Sequence, residues 1–125
     1  MIYIQNSGNV YINRGDTFDL PLILRLNDST NPSDTFVFED GDELTLYITE
    51  PNLPNTKAII EKSLTITTDN IDDEKVFNFT HSDTAELCAK IYSYEVQLKR
   101  PNKANDGKED TYITIVPRRI FSINL

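Results

Sequence analysis

His81 is the only histidine and Cys88 the only cysteine, so nucleophile–base chemistry of the usual kind would have to run through one or both. A serine or cysteine nucleophile needs a base beside it and an acid that orients the base. No Gly-x-Ser-x-Gly elbow is present, and neither residue has sequence neighbours that complete such a set. His81 is expected at a strand end ahead of a capped turn, and Cys88 as a small residue packed beneath a turn. A single cysteine also excludes an intrachain disulfide and a Cys-based zinc site. Two acidic runs, Glu39-Asp40-Gly41-Asp42-Glu43 and Asp69-Asn70-Ile71-Asp72-Asp73-Glu74, offer the oxygen ligands that Ca²⁺ prefers. Neither has the spacing of a twelve-residue calcium loop, and Asp, Asn and Gly are what turns require in any case. Solvated turns are expected. A carboxylate pair for glycoside hydrolysis must flank a cleft, and no pair among the acids is singled out by position.

Arg14-Gly15-Asp16 spells the tripeptide read by integrins, but it directly precedes the strongest strand pattern of the chain. The structural reading is that Gly15 permits a bend and Asp16 caps it. The glycines Gly8, Gly15, Gly41 and Gly107 are too far apart for a phosphate-cradling loop. The Asn-x-Ser/Thr sequons at Asn27 and Asn78 matter only on a secretory route. The sequence therefore nominates no catalytic, cofactor-binding or metal residue and no cofactor, and the chain is expected not to be an enzyme.

Charge narrows the partners. Twelve Lys and Arg against twenty Asp and Glu leave a net charge of −8, which repels phosphate backbones and anionic lipid. The basic clusters Lys99-Arg100 and Arg118-Arg119 are too short to override that field, so neither nucleic acid nor membrane is expected as a partner. The N-terminus, Met1 to Asn6, lacks the basic and apolar regions of a signal peptide. No apolar run approaches the roughly 20 residues of a membrane span.

The elements that would position any site read as strands. Phe18, Leu20, Leu22, Leu24 and Leu26 alternate with Asp19, Pro21, Ile23 and Arg25, a period of two. Pro21 lacks a ladder donor and suggests an edge strand or a bulge. Leu44, Leu46 and Ile48, and then Tyr92, Tyr94, Val96 and Leu98, repeat the alternation. Weaker strands are predicted at 10–12, 58–60, 64–66, 76–79, 112–116 and 120–123, with a bulge at Pro117. Turns fall at 27–32, 40–42, 51–55 and 69–70, and the polar tract 102–110 is expected to be a mobile hairpin loop. One short helical turn is predicted from Asp83, with Asp83 as its cap and Glu86 reaching back. The whole chain, residues 1–125, then reads as a single domain: an all-β, immunoglobulin-like antiparallel β-sandwich of about seven to nine strands.

The run Ile12-Asn13-Arg14-Gly15-Asp16-Thr17-Phe18-Asp19-Leu20-Pro21-Leu22 resembles the opening of phage upper-baseplate-protein N-terminal domains and related small virion β-sandwiches, in which a basic-Gly-Asp-Thr turn introduces a long alternating strand. The similarity continues through Asp42 to Pro51, through Tyr92-Ser93-Tyr94-Glu95-Val96-Gln97-Leu98, and into Arg119-Ile120-Phe121-Ser122-Ile123. Where those domains carry a glycine before the Tyr-x-Tyr strand, this chain has Ala89-Lys90. It also stops at Leu125, directly after the last strand, which suggests a free-standing head, neck or tail accessory protein. The resemblance implies a non-enzymatic structural or assembly protein of a bacteriophage particle, located in the virion after assembly in the host cytoplasm. It would be a homo-oligomer or docked on other virion proteins. The sequence does not identify the binding interface. The alternative expectation is a carbohydrate-binding β-sandwich module that uses exposed Tyr3, Tyr11 or Tyr47.

Overall fold

The alternating rows become buried faces. On β8 (Ile91–Arg100) the side chains of Tyr92, Tyr94, Val96 and Leu98 are buried, and on β5 (Glu43–Thr49) Leu44, Leu46 and Ile48 are fully so. Each such apolar side chain stabilises the fold by about 1.5–3 kcal/mol on leaving water, and β5 pairs antiparallel with β8 from Glu43↔Lys99 to Thr49↔Ser93. These two strands form the middle of a mixed, curled sheet.

The computed structural model of the protein describes residues 2–4, 8–22, 24–26, 36–104 and 106–125, with the side chains of 2–4 and 24–26 outside that description. The expected turn at 27–32, the sequon at Asn27, Ile23 and the side chain of Tyr3 lie outside the described residues. The other elements are β1 (Ile2–Ile4), β2 (Val10–Asn13), β3 (Phe18–Leu22), β4 (Leu24–Leu26), β6 (Ile60–Thr65), β7 (Lys75–Phe79), α1 (His81–Thr84) and β9 (Thr111–Asn124). The five-stranded sheet runs β2-β9-β8-β5-β6, while β3 pairs with β7 and β1 with β4. The β3–β7 ladder lies over the inner face of the larger sheet. Phe18 and Phe79 stack at 4.5 Å, and both lean on Phe121 of β9.

Among the described residues the architecture is thus mostly β with one short α-helix and a 3-10 turn at Asn55–Lys57, but it is not antiparallel throughout. β2 runs parallel to β9, Val10 opposite Phe121 and Asn13 opposite Asn124. Alternation reports which face a side chain occupies and is silent on the direction of the neighbouring strand, so the expectation of an all-antiparallel arrangement had no means of detecting this edge. Two predicted strands at 58–60 and 64–66 are one, β6. The charged Lys62 interrupts the apolar row, yet it points inward and is met by Asp83 at 2.9 Å above the Phe79 ring. Strands predicted at 112–116 and 120–123 likewise merge into β9. Across from Tyr94 and Val96 stand Arg119 and Val116, so β9 holds one residue too many there and bulges at Pro117-Arg118, as the proline suggested. The helical turn begins earlier than predicted. Thr80 is its N-cap and donates its N–H to Asp83 at 2.7 Å, so Asp83 serves as the third helical residue rather than the cap.

One buried ion pair ties the loop before β5 to the end of β8. The fully buried Asp42 carboxylate accepts from Arg100 Nε and Nη2, both at 2.8 Å, and from the Glu39 N–H at 2.8 Å. Burial alone would raise the Asp42 pKa, but the hydrogen bonds and charge of Arg100 and the Glu39 N–H outweigh it and hold the group below its ordinary 3.8. A depressed carboxyl contributes stability that is present above the unfolded pKa and lost as pH falls through the folded one. Asp42→Asn should therefore lower the urea midpoint at neutral pH, by about 2–4 kcal/mol in unfolding free energy. It should also flatten the acid limb below pH 3.8, where the unmodified chain loses this contribution. Equilibrium unfolding at several pH values checks both effects.

Candidate functional site

Strand alternation that buries one row must present the other. On the outer face of the five-stranded sheet, Tyr11 of β2, Ser122 of β9 and Ile91 of β8 stand in one cross-strand row. Ile120, Ser93 and Thr49 stand in the next, and Ile59, just before β6, donates its N–H to the Ile48 carbonyl at 2.8 Å. Tyr11 is 64% exposed and Ile91 55%. Five of the eight exposed large hydrophobic side chains among the described residues (Tyr11, Leu53, Ile59, Ile91 and Ile120) fall on or beside this half of one face. Single exposed apolar side chains are ordinary, whereas a contiguous group marks an interaction surface.

The β9 bulge places Arg118 in this half of the face. Its Nη1 donates to Thr49 Oγ1 at 3.1 Å, and its Nη2 donates to the Leu53 carbonyl and to Asn55 Oδ1 at 3.4 Å. Beside it lies an open hollow lined by Pro51, Asn52, Leu53, Pro54, Ser93 and Arg118. Asn52 there holds φ at +68°, a left-handed backbone rare outside glycine. The other half of the face is polar. Tyr47 sits between Glu61 and Glu95 on the neighbouring strands, and burial first, then Glu61, Glu43 and Glu95, raises its phenol above the ordinary 10.0.

No family model, curated protein or solved structure matches the chain.

The residues that sequence reasoning weighed for chemistry are scattered by the fold. His81 opens α1, and its Nδ1 lies 2.9 Å from the Gly15 carbonyl. Cys88 is exposed, contrary to the expectation that it packs beneath a turn. Its backbone carbonyl is the part the turn uses, accepting from Tyr92 Oη at 3.0 Å. Arg14-Gly15-Asp16 forms the tight turn between β2 and β3, with Gly15 at φ +83°. Gly15 donates its N–H to Thr84 Oγ1 at 2.8 Å, and the Asp16 carboxylate accepts from the Asn13 N–H at 2.9 Å. The tripeptide is therefore built into the turn and docked on α1.

The first acidic run is organised around Asp42 and Arg100. The second folds around a lysine. Lys75, 5% exposed, donates from Nζ to the carbonyls of Asn70 at 2.9 Å, Ile71 at 3.0 Å and Asp73, over the Phe38 ring. Three backbone carbonyls of this run thus hold an ammonium. Among the described residues no group of three or more His, Cys, Asp or Glu could hold a metal ion. Tyr11 and Tyr47 do not converge, since β9 and β8 lie between their strands. The described residues of the polar tract 102–110, all but Asn105, carry several hydrogen bonds. Asn102 donates its N–H to Asp110 at 2.9 Å and its side-chain amide to Asp106 at 2.8 Å, and Lys103 reaches the Asp40 carbonyl. Sequence reasoning missed Arg118 as part of a face, counting it only in a basic pair. Its position beside Pro117 was the available signal.

Two stability tests follow from these contacts. A Cβ on Gly15 would meet the His81 ring at 3.0 Å on a backbone that disfavours side chains, so Gly15→Ala should cost about 1–2 kcal/mol. Adding His81→Ala should recover the steric part only, as read by urea unfolding of both variants. Lys75→Met leaves three carbonyls without their donor and should lower stability by roughly 1–3 kcal/mol. Neither Ca²⁺ nor EDTA should move the melting temperature of the unmodified chain.

Proposed function

We propose that the chain is a non-enzymatic structural or assembly protein of a bacteriophage particle, acting by protein–protein docking in the baseplate, tail, neck or head. The observation that carries the docking reading is the cluster of Tyr11, Leu53, Ile59, Ile91 and Ile120 on one half of the outer sheet face. The phage assignment rests on the resemblance of the Ile12–Leu22, Asp42–Pro51, Tyr92–Leu98 and Arg119–Ile123 segments to small virion β-sandwiches.

Within that reading the fold is immunoglobulin-like. The order β9-β8-β5-β6 matches the G-F-C-C′ order of variable-type domains, with β3 and β7 in the places of strands B and E. Tyr92, near the start of β8, bonds through its hydroxyl to the backbone of Cys88, the arrangement of a tyrosine corner at the start of strand F. Two features favour the face over the sheet edges as the docking element. β6 carries Lys62 pointing inward, a device that discourages edge pairing. On β2, Asn13 has its N–H bonded to Asp16 Oδ2 and its carbonyl to the Asp16 N–H.

Mass spectrometry of particles purified from the producing host tests the assignment. The unmodified chain should be a stoichiometric component. Paired Tyr11→Asp and Ile91→Asp substitutions should leave its far-ultraviolet circular dichroism unchanged and deplete it from particles at least tenfold. Absence of the unmodified chain from particles, or undiminished incorporation of the folded variant, would overturn the reading.

A further inference from the structure

We infer that Arg118 and the hollow beside it form an anchor for a carboxylate on a partner protein, presented by an Asp or Glu with apolar neighbours. The inference rests on the docking reading above and names the chemistry of what docks. The chain carries twenty Asp and Glu against twelve Lys and Arg, yet Arg118 forms no ion pair among the described residues. Its bonds go to a hydroxyl, a backbone carbonyl and a side-chain amide, all neutral. Glu95 is reached only through Asn55, whose Nδ2 donates to it. By contrast Arg100 of the same sheet is neutralised by Asp42 and Glu39, and Lys90 by Glu50.

Three neutral acceptors do for Arg118 what a binding site requires: they fix the fork without cancelling its charge. Holding an arginine side chain in one geometry removes the ordering cost that a partner would otherwise meet. Two N–H donors of the guanidinium stay open to an incoming acceptor. The surroundings strengthen such a contact. Leu53, Pro51 and Pro54 border the hollow, and Ile120 and Ile91 lie on the adjoining sheet surface, so a docked segment would shed water around the ion pair. The bulge at Pro117-Arg118 re-aims this side chain, and the left-handed Asn52 shapes the turn that supplies the Leu53 carbonyl. A phosphate-bearing partner would satisfy the same guanidinium, but the net charge of −8 opposes a polyanion and favours a single carboxylate in an apolar setting.

The test is a titration of the full chain, followed by amide nuclear magnetic resonance, with acetyl-Leu-Glu-Leu-amide, its Gln counterpart and inorganic phosphate in parallel. The Glu peptide should give saturable shifts at Leu53, Ser93, Arg118 and Ile120, at least fivefold tighter than the Gln peptide, with phosphate weaker than either. Arg118→Gln should abolish the preference for Glu over Gln. Because Arg118 also braces the 51–55 turn, Ile120→Ser serves as a second variant. It leaves the guanidinium in place and should weaken the Glu peptide at the same site. Equal response to both peptides, shifts centred elsewhere, or a phosphate response exceeding that to the Glu peptide would overturn the inference. If the anchor fails while Tyr11→Asp with Ile91→Asp still depletes the chain from particles, the docking reading survives without it.

Discussion

The burial of one side of β5 and β8 is the constraint on which the rest of the molecule depends. Leu44, Leu46, Ile48, Val96 and Leu98 lose all contact with solvent, and Tyr92 and Tyr94 nearly all. Once those rows face inward, a shift of either strand by one residue would expose the whole set, so the register of the central pair is strongly specified. β9 then lies along β8, and the stacked rings of Phe18 and Phe79 lie over Phe121. Tyr94 is almost wholly buried in this interior. Burial pushes its phenol up to about 12, and its hydroxyl is bonded to the Gly8 carbonyl.

Polar groups drawn into this apolar frame are each given partners. Asp42 receives a two-point contact from Arg100, Lys62 meets Asp83, and Lys75 is ringed by carbonyls. In each case an uncompensated group would be far more costly than the paired one is stabilising. These contacts fix the loops at the ends of the strands, which leaves the outer face as a separate surface with its own composition.

The strands that alternate cleanly were legible in the sequence because period two reports burial directly. Leu44 to Ile48 and Tyr92 to Leu98 lie where the pattern placed them, whereas the row from Phe18 to Leu26 is divided between β3, paired with β7, and β4, paired with β1. The pattern failed where a long-range partner rescued an unfavourable residue. Lys62 split β6 on paper because its acid lies in α1, and β9 looked like two strands because a bulge absorbs Pro117. Cys88 was misplaced because a side chain's orientation in a turn depends on which backbone group the turn employs. The exposed apolar half-face was only partly legible. Tyr11 was noticed as an aromatic, but Ile91, Ile120 and Leu53 become neighbours only after three strands and a turn are assembled.

The parallel contact between β2 and β9 has a consequence for the order of events during synthesis. Ile120 donates its N–H to Asn9 across 111 positions of sequence, and Val10 pairs with Phe121 just beyond. β2 must wait for a strand that is made far later in the sequence before it acquires this neighbour. Central pairing between β5 and β8 can begin while β9 is still in the exit tunnel, but the N-terminal margin of the sheet cannot. Closure of the sheet along β2 therefore waits on the synthesis of β9, and until then β2 lacks its ladder partner.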